Sequence, residues 1–333
     1  MKGILYFPKL KHEASSLEGQ IKLYNNQVFV ADNIKEVIPE YLLLLKGCID
    51  CPDLPLNVSR SFLQNDGYVK KVSAHITKKV SDKLTGMFNT DREKLEKYWD
   101  DISPFVKYGC MRDDAFYEKI KDIVIYKSTD DKFFTIDEYT KDKEDKTVYY
   151  TSNPEAQAQY IEMFKAKEIT VVLLPYAIDT HFISFMEFKN SGVKFKRIDA
   201  SVADNTEKST ENNALISKFK DAIGDENLKV ECAKLESTKL PAMLNLSEES
   251  RRMQEMSAMI MGKIGDIPED ITVVLNLASP IVSKLNTSSD ADFNKLVCNY
   301  IYDIATLAHR PLSSERMTAF IERSNDILSR LGE

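Results

Sequence analysis

The chain has 333 residues, 43% of them hydrophobic and 29% charged, with a net charge of -7. That length is too great for one ordinary domain and suits two or three, each able to bury a core of its own. The acidic balance offers no overall basic field for nucleic acid or an anionic membrane surface. The longest apolar run, Tyr41 to Leu45, ends at Lys46, far short of the roughly 20 residues of a membrane span.

The first residues, Met1 to Pro8, have a charged start and an apolar continuation. They are too few for a secretory signal and lack a small-residue cleavage site, so they read as a strand that starts abruptly, as if cut from a longer parent. The five cysteines, Cys48, Cys51, Cys110, Cys232 and Cys298, form an odd, scattered set. A reducing, cytoplasmic setting fits them better than a disulfide framework. Cys48 and Cys51 make the one close pair, and none of His12, His75, His181 and His309 stands at metal-ligand spacing to it. Ordinary thiols are expected there and no metal site.

Short β-like runs alternate with turns over Gly3–Phe7, Gln20–Tyr24 and Gln27–Val30, and an amphipathic helix is expected over Ile34–Lys46. The proline-stiffened stretch Cys51–Asn57 is a loop. Helical patterning starts at Ser59 and continues through Asp91–Asp101 to Ile123. Strands at Thr147–Thr151, Thr170–Leu174 and Val193–Ile198 then alternate with helices at Pro154–Lys167 and Ile178–Phe188. That alternation predicts a small parallel sheet covered by helices, and Asn153 before Pro154 is a natural helix start. Asp199–Asn213 is polar and reads as a linker. Beyond it a helix at Leu215–Ile223, strands at Val230–Leu235 and Thr272–Leu277, and terminal helices complete the chain.

The βαβαβ stretch invites a nucleotide-binding reading, but its first turn, Thr151-Ser152-Asn153-Pro154, has no glycine to let backbone approach a phosphate. No phosphate-binding loop, nucleophile elbow or paired metal motif occurs elsewhere. Arg60 is different. It stands in the expected first turn of a helix, where the dipole disfavours a cation, with Gln64 four residues on along the same face. A guanidinium on a stiff loop can reach an anionic group outside its own domain. An exposed arginine can equally well be a surface ion pair.

Two apolar patterns remain. After the capping residue Ser247, Met253, Met256, Ile260 and Ile264 trace one helical face. Such a stripe serves core packing or, being rich in adaptable methionine, a surface for varied apolar partners. At the end of the chain, Leu296, Tyr300 and Ile304 recur on one helix and Phe320, Ile321, Ile327 and Leu328 on the next. These faces can fold back on the preceding layer or pair across a two-fold axis as a four-helix bundle.

The runs Gly19–Asn33, Val37–Leu42 and Asp53–Arg60, the last containing Leu54-Pro55-Leu56-Asn57-Val58-Ser59-Arg60, resemble the middle domain of the 90-kDa heat-shock chaperones in their bacterial form. More weakly, the likeness extends through Tyr98-Trp99-Asp100 and Val148–Thr151 into the terminal helices. It implies a multi-domain α/β and α+β chain: layered α/β/α middle-domain modules joined by helices, then an α+β C-terminal dimerisation domain ending in a helical bundle. The implied parts are residues 1–85 (rest of the large middle subdomain), 86–125 (helical connector), 126–205 (small α/β subdomain) and 206–333 (C-terminal domain). It also implies that Arg60 reaches the γ-phosphate of ATP, with Gln64 and Asn57 in the same catalytic loop, while ATP and Mg are held by an N-terminal domain that this chain lacks. The chain alone would then not hydrolyse ATP. Unfolded or partly folded client proteins would meet Met253, Met256 and Ile260, other chaperones would be further partners, and the terminal helices would form a homodimer. The absence of the acidic tail of cytosolic eukaryotic members favours a bacterial origin. A stand-alone α/β enzyme or a protein-binding scaffold is the alternative.

Overall fold

The structure, a computed structural model, describes residues 1–7, 21–32, 38–42, 45–53, 66–141, 143, 145–200, 208–209, 212–235, 237–246, 271–308 and 311–331. They form a mixed α/β chain of two compact units. The first comprises Met1–Lys127, Lys132–Glu144 and His181–Ser191; the second comprises Ser128–Asp131, Asp145–Thr180 and Gly192–Glu333.

In the first unit, β1 (Lys2–Tyr6), β2 (Ile21–Asn25), β3 (Val28–Asp32) and β4 (Lys46–Asp50) make one sheet in the order β1-β4-β2-β3. β4 runs antiparallel to β1 and parallel to β2. Alternation sets the buried face: Ile21 and Leu23 point inward and Lys22 outward. β4 was not expected. The helix read over Ile34–Lys46 is, in its described part, a single tight turn at Glu40–Leu42 followed by this strand. Ile38, Tyr41, Leu42 and Leu45 are all buried, so their helix-like spacing is satisfied by packing without a helix. Strand pairing on both sides then claims the residues that follow. Gly47 permits it. Its φ of 144° suits no L side chain, and a Cβ there would collide with the carbonyl oxygen of Ile4.

Helices α1 (Asp66–Thr90), α2 (Arg92–Arg112) and α3 (Asp114–Ile120) supply the rest of this core. From α2, Leu95, Trp99, Ile102, Phe105 and Val106 are buried. A polar node ties the tight turn to the helices. The Tyr41 hydroxyl donates to Asp113 Oδ2 at 2.7 Å and lies 3.1 Å from Thr77 Oγ1, while Asp113 Oδ1 caps α3 by accepting from Phe116 N–H. Burial pushes the Tyr41 hydroxyl far above the ordinary tyrosine range, so it stays a donor. The hairpin β5 (Tyr126–Lys127) and β6 (Phe133–Phe134) and the short α4 (Ile136–Thr140) follow. Arg92 holds them. It binds the Glu138 carboxylate through both terminal nitrogens and the Phe133 carbonyl at 3.2 Å. That guanidinium keeps the Glu138 carboxyl below the ordinary range, so the contact weakens only once acid protonates Glu138.

The second unit begins with the expected parallel sheet. β7 (Thr147–Thr151) lies between β8 (Val172–Leu173) and β9 (Lys194–Arg197). Helix α5 (Ala158–Ala166) connects β7 to β8, and α6 (Ala177–Lys189), which follows β8 in the chain, belongs from His181 onward to the first unit. The helix expected from Pro154 starts four residues later, because Asn153 Oδ1 accepts from Ala156 N–H and closes a separate turn first. The polar stretch expected as a linker also starts within the core. Asp199 is buried and takes a two-pronged contact from Arg197, at 2.9 and 2.7 Å.

β10 (Lys208–Ser209), β11 (Lys229–Ala233), β12 (Ala242–Leu246) and β13 (Ile271–Asn276) form a mixed sheet in the order β10-β11-β13-β12, with only β11 and β13 parallel. Helices α7 (Asn213–Ile223), α8 (Pro280–Thr287), α9 (Ala291–Leu307) and α10 (Ser314–Leu331) accompany it. Leu215 and Phe219 of α7, Val273 and Leu275 of β13, and Cys298 and Ile301 of α9 share one core. A second cluster joins Tyr160 and Phe164 of α5 to Leu235, Met243 and Val274. Asn276, wholly buried at the end of β13, satisfies both ends of its amide: Oδ1 accepts from Leu235 and Ala278 N–H, and Nδ2 donates to the Ser237 and Leu240 carbonyls. It fastens the loop between β11 and β12 to the sheet.

The β2–β3 hairpin turns on Asn26 (φ 50°) and Gln27 (φ 65°), both left-handed. This turn type favours glycine at its second central position. Gln27→Gly is expected to raise the urea-unfolding free energy by about 0.5–1 kcal/mol, relief of strain exceeding the entropy glycine adds to the unfolded chain. A fall in stability would mean that the turn is unstrained.

Candidate functional site

Arg60, Gln64 and Asn57 lie outside the described residues, as do Met253, Met256 and Ile260. What the structure describes is the frame on either side of the Arg60 loop. On one side β4 leads into Cys51, which is fully buried and donates its N–H to the Tyr24 carbonyl at 2.9 Å. The Asn25 amide reaches across from the hairpin and donates to the Cys51 and Pro52 carbonyls at 3.1 and 3.2 Å. Asp50 Oδ2 accepts from Gln27 N–H at 3.1 Å. Three consecutive residues at the exit of β4 are thus fixed by the turn next door. On the other side stands α1, a 25-residue helix, whose Thr77 and Ser81 are buried.

The second region is the pair of terminal helices. Asp290 caps α9 by accepting from Phe293 N–H at 3.0 Å. The helix then divides its apolar residues between two faces. Val297, Cys298, Ile301 and Ala305 are buried in the sheet-side core, while Leu296, Tyr300 and Ile304, spaced by four, are only partly covered. Burial pushes the Cys298 thiol up to about 12, so it serves as an inert core residue. Of the seven residues singled out on these helices, Tyr300 and Phe320 are in ring contact, their ring centroids 5.3 Å apart and their planes at 12°. Ile327 is partly covered. Ile321 and Leu328, two turns apart on α10, are 53% and 66% exposed.

Sequence reasoning missed the group that sets this geometry. Asp303, 4% exposed, accepts from Arg316 Nη2 at 2.6 Å and from Arg323 Nη1. Arg316 also lies over the Tyr302 ring at 4.9 Å. A carboxylate inside the apolar run Tyr300–Ala308, and two arginines seven residues apart on the next helix, are the signal that was there to read. Asn25, in a hairpin that looked like any polar turn, carried no such signal. Among the described residues no group of three or more His, Cys, Asp or Glu is placed to hold a metal, and no helix is long and apolar enough to cross a membrane.

The family model for Hsp90 protein matches residues 1–331, and the chain belongs to that family. Within it, the chain is similar to chaperone protein HtpG of Bacteroides thetaiotaomicron, 35% identical over 314 residues, which is 87% of this chain and 46% of that protein. It is 34% identical over 308 residues to HtpG of Porphyromonas gingivalis, covering 86% and 45%. With HtpG of Fusobacterium nucleatum it shares 28% over 350 residues, 98% and 57%. The chain thus spans about half the length of the curated relatives it matches.

Asp303→Ala is expected to lower stability by about 2–3 kcal/mol, since two partly buried guanidinium groups lose a charged partner. The loss should appear as faster amide exchange along Ser314–Leu331 with little change in Thr147–Thr151. Unchanged exchange in α10 would show that Asp303 does not hold it.

Proposed function

We propose that this chain is the middle and C-terminal part of a dimeric, ATP-driven chaperone that folds and remodels client proteins. The family match across residues 1–331 carries that reading. In this proposal ATP and Mg are bound by a separate N-terminal domain of the parent protein, and this chain contributes Arg60 in trans. A guanidinium delivered there offers two parallel N–H donors to the γ-phosphate and stabilises charge gathered on the transferring oxygens. In this proposal Gln64, four residues on, and Asn57, three residues before, shape its approach. The fixed exit of β4 supports this assignment, because a finger works only from a rigid base.

The terminal helices are proposed to join two copies into a homodimer through Leu296, Tyr300, Ile304, Phe320, Ile321, Ile327 and Leu328. The exposure of Ile321 and Leu328 supports it, since apolar residues two turns apart on an open helix face gain by pairing. Met253, Met256 and Ile260 are proposed to meet clients, with other chaperones as further partners. The setting is bacterial cytoplasm. Layered α/β/α middle modules over 1–85 and 126–205, a helical connector over 86–125 and a C-terminal domain over 206–333 complete the proposed organisation.

In the longer parent protein, Arg60→Ala is expected to lower ATP turnover by about 100-fold or more while nucleotide affinity stays nearly constant. Arg60→Lys should recover little, because a point charge cannot reproduce the planar fork. Turnover unchanged in a phosphate-release assay would remove the assigned role.

A further inference from the structure

Helix α10 carries two apolar pairs of equal spacing. Phe320 and Ile327 stand seven residues apart, and Ile321 and Leu328 repeat that spacing one position on. In a helix seven residues return to nearly the same side, while one residue turns about 100° away. Each pair is therefore a stripe of its own, and either offers α9 apolar area to bury. One of them has been chosen. Phe320 stacks on Tyr300 of α9, ring centroids 5.3 Å apart, and Ile327 is partly covered. Ile321 and Leu328 stay 53% and 66% exposed.

Charge makes that choice. Arg316 and Arg323 share the seven-residue spacing, and both end on Asp303 of α9, which is 4% exposed. Their stripe lies about 40° around the helix from Phe320 and Ile327 and about 140° from Ile321 and Leu328. Rolling α10 until the second apolar pair met α9 would carry both guanidinium groups away and leave a buried carboxylate unpaired, which is strongly unfavourable. It would also lift Arg316 from the Tyr302 ring, which it covers at 4.9 Å. The apolar pattern alone permits two seats for α10, and the ionic contacts permit one.

We propose that Asp303 is the positioning residue of the dimer. With Arg316 and Arg323 it fixes the roll of α10 about its axis, and so selects Ile321 and Leu328, instead of Phe320 and Ile327, as the stripe presented to a second copy. Asp303 acts from inside its own chain, through α10. This assignment rests on the homodimer reading, and the test separates the two.

Sedimentation equilibrium of the full chain gives the dimer dissociation constant for the wild type, Asp303→Asn and Arg316→Gln. Asp303→Asn keeps the size of the side chain and removes its charge. It should weaken dimerisation about tenfold or more. Arg316→Gln leaves Arg323 on Asp303 and should weaken it less, in the same direction. Roll is read separately, by thiol labelling of Ile327→Cys and Leu328→Cys, each placed singly in the wild-type and Asp303→Asn chains. Labelling is done below the measured dissociation constant, with each site resolved by mass spectrometry. In the wild-type background the Leu328→Cys thiol should react faster, because reactivity follows access. In the Asp303→Asn background the difference should close or reverse. Should Asp303→Asn fold poorly, Arg316→Gln carries both measurements. Unchanged dimer affinity in the variants would overturn the proposal and leave the dimer standing. Weaker dimerisation with the labelling contrast intact would overturn it too, since that is lost stability without a change of roll. A wild-type chain that stays single at every concentration would overturn the homodimer reading itself.

Discussion

Asp303 is the buried carboxylate of α9, and two arginines from the next helix close on it. Burying a carboxylate is strongly unfavourable unless its charge is met and its lone pairs are used. Both conditions are satisfied by groups that stand seven residues apart on α10. The contact therefore fixes α10 along its length, where a single ion pair would leave it free to pivot. Tyr300 and Phe320 add a stacked pair on the same seam. Once α10 is held this way, Ile321 and Leu328 have no place in the core of their own chain and stand in solvent.

A comparable logic governs the start of the chain, with glycine in place of charge. β4 can occupy the middle of its sheet because Gly47 lets the backbone of β1 come close. The strand delivers the chain to Cys51 and Pro52, where the Asn25 amide holds two successive carbonyls. Hydrogen bonds to backbone at a strand exit settle direction as well as energy.

The parts legible from the sequence were those where one periodicity governs a whole element. The strands at Thr147–Thr151 and Val193–Ile198 and the helices between them gave a parallel sheet because alternation and helix length agree there. Where tertiary contacts override local pattern, the reading failed. Ile38, Tyr41, Leu42 and Leu45 have helical spacing but are buried by a turn and a strand. β12 passed unread because its two sides are covered by different layers, so Met243 and Leu244 are both buried and no alternation survives. Asp199 looked like the polar start of a linker, and only its pairing with Arg197 makes it core. On α9 the apolar stripe was legible, but its division into a buried half at Val297, Ile301 and Ala305 and a half-covered one at Leu296, Tyr300 and Ile304 was not. Composition cannot tell apolar residues that face their own sheet from those that face outward. The charges that decide the matter lie on another helix.

The proposed dimer rests on the apolar residues that α10 leaves exposed, Ile321 and Leu328, and sedimentation equilibrium of the purified chain addresses it directly. Twice the chain mass is expected at micromolar concentration. The double variant Ile321→Asp/Leu328→Asp is expected to show the single-chain mass with unchanged circular dichroism. A wild-type chain that sediments as a monomer, or a variant that stays paired, would contradict the proposed dimer.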